Sequence, residues 1–268
     1  GAIYLIGTAS SIMRLDGLEG IRRLPEQSLV VTEAMLRDAQ EYFVRAEAQR
    51  QQKAQQGPLI VAIRAAAPMV DGKLDEWSAS DFVPVDKRAA AAVAVAGDRL
   101  YAAFKTDDPN LLANKPEALP NLFKTGGALD LMLGNVQGGQ RLLVTKVQGK
   151  TTAVLYRPRD PNRAGDPVKF ISNIGINKTI VMDRVENVSE QVTLAGDAGN
   201  YEISVPLALL NLQPEAGQSI KGDIGILRGN GFQTLQRVYW HNKATGLVSD
   251  LASEAELTPQ LWGTVQFE

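Results

Sequence analysis

Ala128-Leu129-Asp130-Leu131-Met132-Leu133-Gly134 sets three leucines at every second position, with Asp130 and Met132 between them. Side chains alternate between the two faces of a strand, so this stretch reads as a strand with one apolar face. A slip of one residue would turn the whole leucine set outward, so the register is firmly specified. The same period continues on both sides. Ile60, Ala62 and Arg64 alternate with Val61, Ile63 and Ala65, and Val93-Ala94-Val95-Ala96 turns at Gly97-Asp98 into Arg99-Leu100-Tyr101-Ala102-Ala103-Phe104, a hairpin pattern. Further strands fit residues 141–147, 151–156, 168–172, 179–183, 190–195, 201–205, 220–227, 234–240 and 262–267, with one helical turn at 207–210. Many short strands punctuated by turn residues indicate an all-β fold: a two-sheet antiparallel β-sandwich over residues 58–268. Its interior should hold Leu129, Leu131, Leu133, Ile203 and Val205.

The first 57 residues read differently. A short strand near Tyr4 leads into Met13-Arg14-Leu15-Asp16-Gly17-Leu18-Glu19-Gly20-Ile21, whose Asp-Gly and Glu-Gly steps read as turns. Thr32 offers an N-cap, and helix formers run to Gln56 before Gly57-Pro58 stops them. Leu36, Ala39, Phe43 and Ala46 share one face, while the turns after Glu47 are polar all round. The expected organisation is a tail of an upstream domain over 1–31, a long connector helix over 32–57 and the sandwich over 58–268. Opening on Gly1 without methionine, the chain reads as a piece of a longer protein.

Composition narrows the chemistry. Hydrophobic residues are 44% and charged residues 22% of 268, which suits a globular chain. No apolar run reaches the roughly 18 residues of a membrane span. Twenty-eight basic against 30 acidic residues leave no basic excess for nucleic acid. There is no cysteine and one histidine, His241, so disulfides, thiolate metal sites, cysteine nucleophiles and multi-histidine metal sites are excluded.

Val70-Asp71-Gly72-Lys73-Leu74-Asp75-Glu76-Trp77 makes a tight Asp-Gly turn with Leu74 and Trp77 aimed at a core. It resembles the opening motif of family-nine carbohydrate-binding modules and their DOMON-like relatives. Residues 98–104 with Thr106-Asp107-Asp108 are similar to that family's strand and Asp-rich turn, and Ala128-Leu129-Asp130-Leu131 to its acid-centred strand. Tyr201-Glu202-Ile203-Ser204-Val205-Pro206 resembles its strand leading into a proline-led turn. Arg237-Val238-Tyr239-Trp240 and Trp262-Gly263-Thr264-Val265 resemble its last two strands. The resemblance spans about residues 59–268, and a narrower group of bacterial multidomain proteins carries such a module behind a β-propeller or similar domain.

The resemblance implies a sugar held between two tryptophans. Here the first position falls at Phe123-Lys124 and the second near Glu256, where the chain reads Ala255-Glu256-Leu257. The expected ligand residues are therefore Phe123, Lys124 and Asn121, from a long loop at 108–127 of a length that is often functional. Arg157 and Arg159 join them, from a loop suited to binding a carboxylate or an acidic sugar, or else simply solvated. Trp240 is a further member, although Trp77, Trp240 and Trp262 read first as core. Asp71, Asp75 and Glu76, or Asp107 and Asp108, carry oxygen donors for Ca2+, against turn capping as the plainer reading. Met132 and Met182 are the methionines that a haem b relative of the same sandwich would use, against packing.

The function these features point to is a non-catalytic carbohydrate-binding module in a larger extracytoplasmic protein (periplasmic or secreted), binding an oligo- or polysaccharide weakly at strand-end loops. The alternatives are a structural or docking module holding the upstream domain, and a haem-binding relative.

Overall fold

The computed structural model describes residues 3–6, 12–15, 33, 37 and 57–268, the last without 116–118, 136–137, 161–165, 176 and 247. The chain divides into two compact units, Gly1–Gly57 and Pro58–Glu268. In the first, β1 (Ile3–Ile6) pairs antiparallel with β2 (Ile12–Leu15), with Ile3 opposite Leu15. The Asp16-Gly17 and Glu19-Gly20 steps, read as turns, lie outside the described residues. Glu33 and Arg37 are helical and exposed, and the remainder of the expected 32–57 helix lies outside the described residues.

The second unit begins with β3 (Leu59–Arg64), β4 (Val83–Asp86), β5 (Ala89–Ala96), β6 (Arg99–Thr106) and β7 (Ala113–Asn114). Next come β8 (Ala128–Asn135), β9 (Gly138–Val147), β10 (Lys150–Arg157), β11 (Val168–Ile171), β12 (Thr179–Met182) and β13 (Arg184–Asn187). The chain finishes with β14 (Thr193–Asp197), β15 (Asn200–Pro206), β16 (Ser219–Gly229), β17 (Thr234–Tyr239), the short helix α1 (Leu251–Ala255) and β18 (Gly263–Phe267).

Two sheets result, β13-β10-β9-β8-β16-β18 and β5-β6-β15-β14, joined through β3. Leu59–Val61 of β3 pair with β18, and Ala62–Arg64 pair with β5. One strand thus leaves one sheet for the other halfway along its length, which is how sandwich corners are turned. Both of its pairings are parallel, as is β7 on β9, while the other strand pairs of the sandwich are antiparallel as expected. Parallel pairing needs long connections, and β3 has them: residues 65–88 on one side and nearly the whole unit on the other.

Leu129, Leu131, Leu133, Ile203 and Val205 lie in one buried cluster between the sheets, as the alternation required. The opposite faces are covered as well. Outside β8, β9 and β10, the β11–β12 hairpin, α1 and the 119–124 segment bury Phe123, Tyr156, Phe170 and Met182. Outside β5 and β6, Ala92, Ala94, Ala96 and Ala103 are small enough for Val70, Leu74, Trp77 and Phe82 to pack close. This explains the alanine run of β5.

The opening motif is anchored from β15. The Glu202 carboxylate accepts from Asp71 N (3.1 Å), Gly72 N (2.9 Å) and Trp77 Nε1 (2.8 Å). Gly72 has φ +85°, and a Cβ there would stand 2.6 Å from Gly196 Cα, so glycine is required twice over. Among the described residues no helix is long and apolar enough to cross a membrane.

Because the second unit encloses its own core, residues 58–268 expressed alone should unfold in one cooperative denaturant transition. A non-cooperative loss of signal would show that the first 57 residues complete the core.

Candidate functional site

Phe123 is 0% exposed, with its ring against Tyr156 (5.9 Å between centroids) and Phe170 (5.7 Å). The expected sugar platform is therefore a core residue, since the β11–β12 hairpin covers the face on which it lies. Lys124 is half-buried, its Nζ 2.7 Å from Glu254 Oε1 and donating to Val248 O at 3.1 Å. Asn121 accepts the Lys124 amide through its carbonyl, closing a short turn. Trp240 is 2% exposed in the main core. Arg157 is buried against Glu186 (2.7 Å) and also donates to Leu209 O, while Arg159 is exposed. These residues do not converge on one surface, because Arg157 and Trp240 spend their polar or apolar groups inside the fold.

Beside Phe123 lies a buried charge network. Arg141 donates to Asp130 from Nε (2.9 Å to Oδ1) and Nη2 (2.6 Å to Oδ2), and the Tyr239 hydroxyl donates to Asp130 Oδ2 at 2.6 Å. Arg141 Nη1 also donates to Glu254 O in α1. Desolvation works against the Arg141 charge, yet Asp130 beside it holds the pKa above the ordinary guanidinium value. Burial pushes the Glu254 carboxyl up, with Lys124 pulling the other way. Network and rings together pin α1 and the 119–124 segment to the sheet.

Of the proposed calcium donors, Asp71 and Asp108 are engaged as turn caps. Asp71 Oδ1 accepts Lys73 N (2.8 Å), Asp108 Oδ1 accepts Asn110 N (2.9 Å) and Asp107 faces Arg88 at 3.5 Å. Asp75 and Glu76 are exposed. Among the described residues no three His, Cys, Asp or Glu side chains gather at one point. Met132 packs with Tyr239 and Trp262, and Met182 with the Phe123 cluster, so both methionines fill core space.

Asp223 is buried and accepts from Ile224 N (3.0 Å), His241 N (2.9 Å) and Asn242 N (2.7 Å), anchoring the turn after β17. Burial pushes its carboxyl up to about 6, against the pull of those three amides. A folded-state value above the unfolded one means that folding takes up a proton between about pH 4 and pH 6. The resulting stability is fully present below the unfolded value and is lost as pH rises through about 6. Wild type minus Asp223→Asn stability should therefore fall by about 2–3 kcal/mol between pH 4 and pH 7, read by denaturant midpoints. A flat difference would contradict that assignment.

The long loop does reach a surface, away from Phe123. Tyr201 donates through its hydroxyl to Pro109 O (3.4 Å), and Asn114 is locked by Leu122 O, Gly127 O and the Thr125 hydroxyl. So braced, the loop forms one wall of an open pocket of about 350 Å³. Asn110, Lys146, Gln148 and Asp197 line it, and Gly231 of the β16–β17 turn closes it. No hydrogen bond joins the Asn110 or Gln148 side-chain amide to another described residue, and both residues are exposed.

One residue beyond Gly231 stands Phe232, 72% exposed. Its tip is held rigid: Asn230 Oδ1 accepts from Phe232 N (3.0 Å) and Gln233 N (2.9 Å), and Thr234 N donates to Lys124 O (2.8 Å). The Thr234 hydroxyl, bonded to Phe123 O and Gly126 O, ties the same tip to the long loop. Phe123 and Lys124 thus support this site through their backbones. The sequence signal for Phe232 was an aromatic ring set in an Asn-Gly turn, where a small polar residue is the usual occupant.

Among the described residues the non-glycine positive-φ positions are Gln148 (51°), Ala198 (45°) and Asn211 (49°). Gln148-Gly149 and Ala198-Gly199 are the two-residue turns of the β9–β10 and β14–β15 hairpins, which call for φ > 0 at both positions. Gln148 and Asp197 line this pocket.

In comparisons with known proteins, no protein-family model matches the sequence and no curated protein does. Solved structures are similar, among them three carbohydrate-binding proteins. A family-nine carbohydrate-binding module from Caldicellulosiruptor kristjanssonii in complex with glucose shares 12% identity, over 78% of this chain and 95% of the other, at a TM-score of 0.43. The same organism's module in complex with cellotriose gives 9%, 78%, 93% and 0.42. A proposed carbohydrate-binding protein from Bacteroides uniformis gives 12%, 78%, 97% and 0.45.

Proposed function

We propose that residues 58–268 form a non-catalytic carbohydrate-binding module of a larger extracytoplasmic protein, with its site at Phe232 and the adjoining pocket. The observation that carries the reading is the exposed ring of Phe232 on a rigid tip beside unengaged amides. A pyranose offers a flat apolar face to an aromatic ring and hydroxyls to donors and acceptors, and each amide supplies both. The pocket volume lies at the small end of ligand sites, in keeping with one or two sugar units. Of the pocket's lining residues only Asp197 is a carboxylate, whereas glycoside hydrolysis takes two facing acids. One ring without a second to sandwich the sugar supports weak binding, about −4 kcal/mol or a millimolar Kd.

The test is a glycan array probed with the full chain, with and without a calcium chelator. Binding to one or more neutral glycans that survives chelation is expected, since none of the acids considered for calcium is among the residues lining the pocket. Silence across the array would hand the exposed Phe232 and neighbouring Leu235 to a protein-docking role.

Gln148 gives a second check. Gln148→Gly should raise stability by about 0.5–1 kcal/mol, by relieving left-handed strain, while weakening glycan binding. Thermal denaturation and titration on the same variant read both. Two changes of the same sign would separate Gln148 from the site.

A further inference from the structure

β9 runs from Gly138 to Val147, and its two ends border different cavities. Lys146 lines the Phe232 pocket, whereas Gly138 lines a cleft of about 970 Å³. Eight residues at about 3.3 Å each separate them by about 26 Å along the strand. β16 repeats the relation. Lys221 near its start lines the cleft, and Gly231 just past its end lines the pocket.

The cleft has the makings of a saccharide site in its own right. Pro214, Ile220 and Pro259 give it apolar surface, and Gln213, Glu215 and Lys221 give it exposed polar side chains. One acid and one base balance in charge, which favours a neutral polyhydroxyl ligand over an ion. Asn211, the remaining non-glycine residue with positive φ, also lies in its wall.

We infer that this cleft is a second saccharide site and that the module is bivalent, an inference that rests on the carbohydrate reading of the Phe232 pocket. With the sites at opposite ends of the same strands, a short oligosaccharide fills one of them and leaves the other vacant. Two polysaccharide chains, or two distant stretches of one chain, can then be held together. Such bridging raises the apparent affinity for a polymer well above that for its oligomers.

The experiment is calorimetric titration and amide chemical-shift mapping of the full chain with neutral hexaoses of cellulose, xylan and β-1,3-glucan. Wild type, Phe232→Ala and the double variant Gln213→Ala/Lys221→Ala are compared; all three positions are exposed, so the fold tolerates the changes. Two sites per chain are expected in wild type and one in each variant. Phe232→Ala should keep shifts around Gln213 and Lys221, and the double variant should keep those around Gln148. Wild type should also cross-link soluble mixed-linkage β-glucan into turbid aggregates, and neither variant should. One site per chain, with shifts confined to the Gln148 end, would overturn bivalency and leave the first reading standing. One site confined to the cleft would overturn both bivalency and the Phe232 assignment, and no binding to any hexaose would overturn everything proposed for either end.

Discussion

Asp130→Ala is expected to destabilise residues 58–268 by about 3–5 kcal/mol, the range for removing one partner of a buried ion pair. Both carboxylate oxygens are in use, by the Arg141 guanidinium and by the Tyr239 hydroxyl. Arg141 is 1% exposed, so without Asp130 its charge has no water to turn to. It also donates to the Glu254 carbonyl, and the rings of Phe123 and Tyr156 sit 5.1 Å and 5.8 Å from its centre. Loss of the pair should also loosen α1 and the 119–124 segment, which rest on it. Replacing both charges with apolar groups, as in Asp130→Leu/Arg141→Met, should recover part of the loss, because no lone charge is left buried. Denaturant midpoints read the series. A loss below about 1 kcal/mol for Asp130→Ala would show that the network carries little of the stability.

Phe232→Ala is expected to weaken glycan binding by about 10- to 100-fold with stability unchanged within about 0.5 kcal/mol. Losing the stacked face of a ring removes roughly 1.5–3 kcal/mol of contact. From a millimolar starting point this takes binding beyond ordinary titration at that end. The fold is indifferent because the ring is exposed and its tip is held by Asn230 and Thr234. Equal affinity in Phe232→Ala would remove the ring from the site, and Phe232→Trp with its larger face should bind more tightly than wild type.

The sandwich was legible because its strands alternate cleanly. Leu129, Leu131 and Leu133 could face only one way, and the turn pair Gly97-Asp98 lies between β5 and β6 as read. The sheet-switching β3 was not legible, since six residues that pair with different neighbours at each end look like any other short strand. The site was harder. The loop at 108–127 does line an open pocket, whereas Phe123 is buried, and nothing in the local sequence announces that β11 and β12 will cover it. Long-range burial decides which aromatic ring meets water. Phe232 escaped notice for the converse reason: it lies on a turn, and among the described residues none covers it, leaving it 72% exposed.

The central claim, that the carbohydrate site is the Phe232 end of the sheet, is tested most directly by amide chemical-shift mapping with the best-bound oligosaccharide. Saturable shifts at Asn110, Gln148 and Gly231 through Gln233, absent in Phe232→Ala, are the result expected. Shifts centred on Lys124 and Trp240, with those residues unmoved, would contradict it.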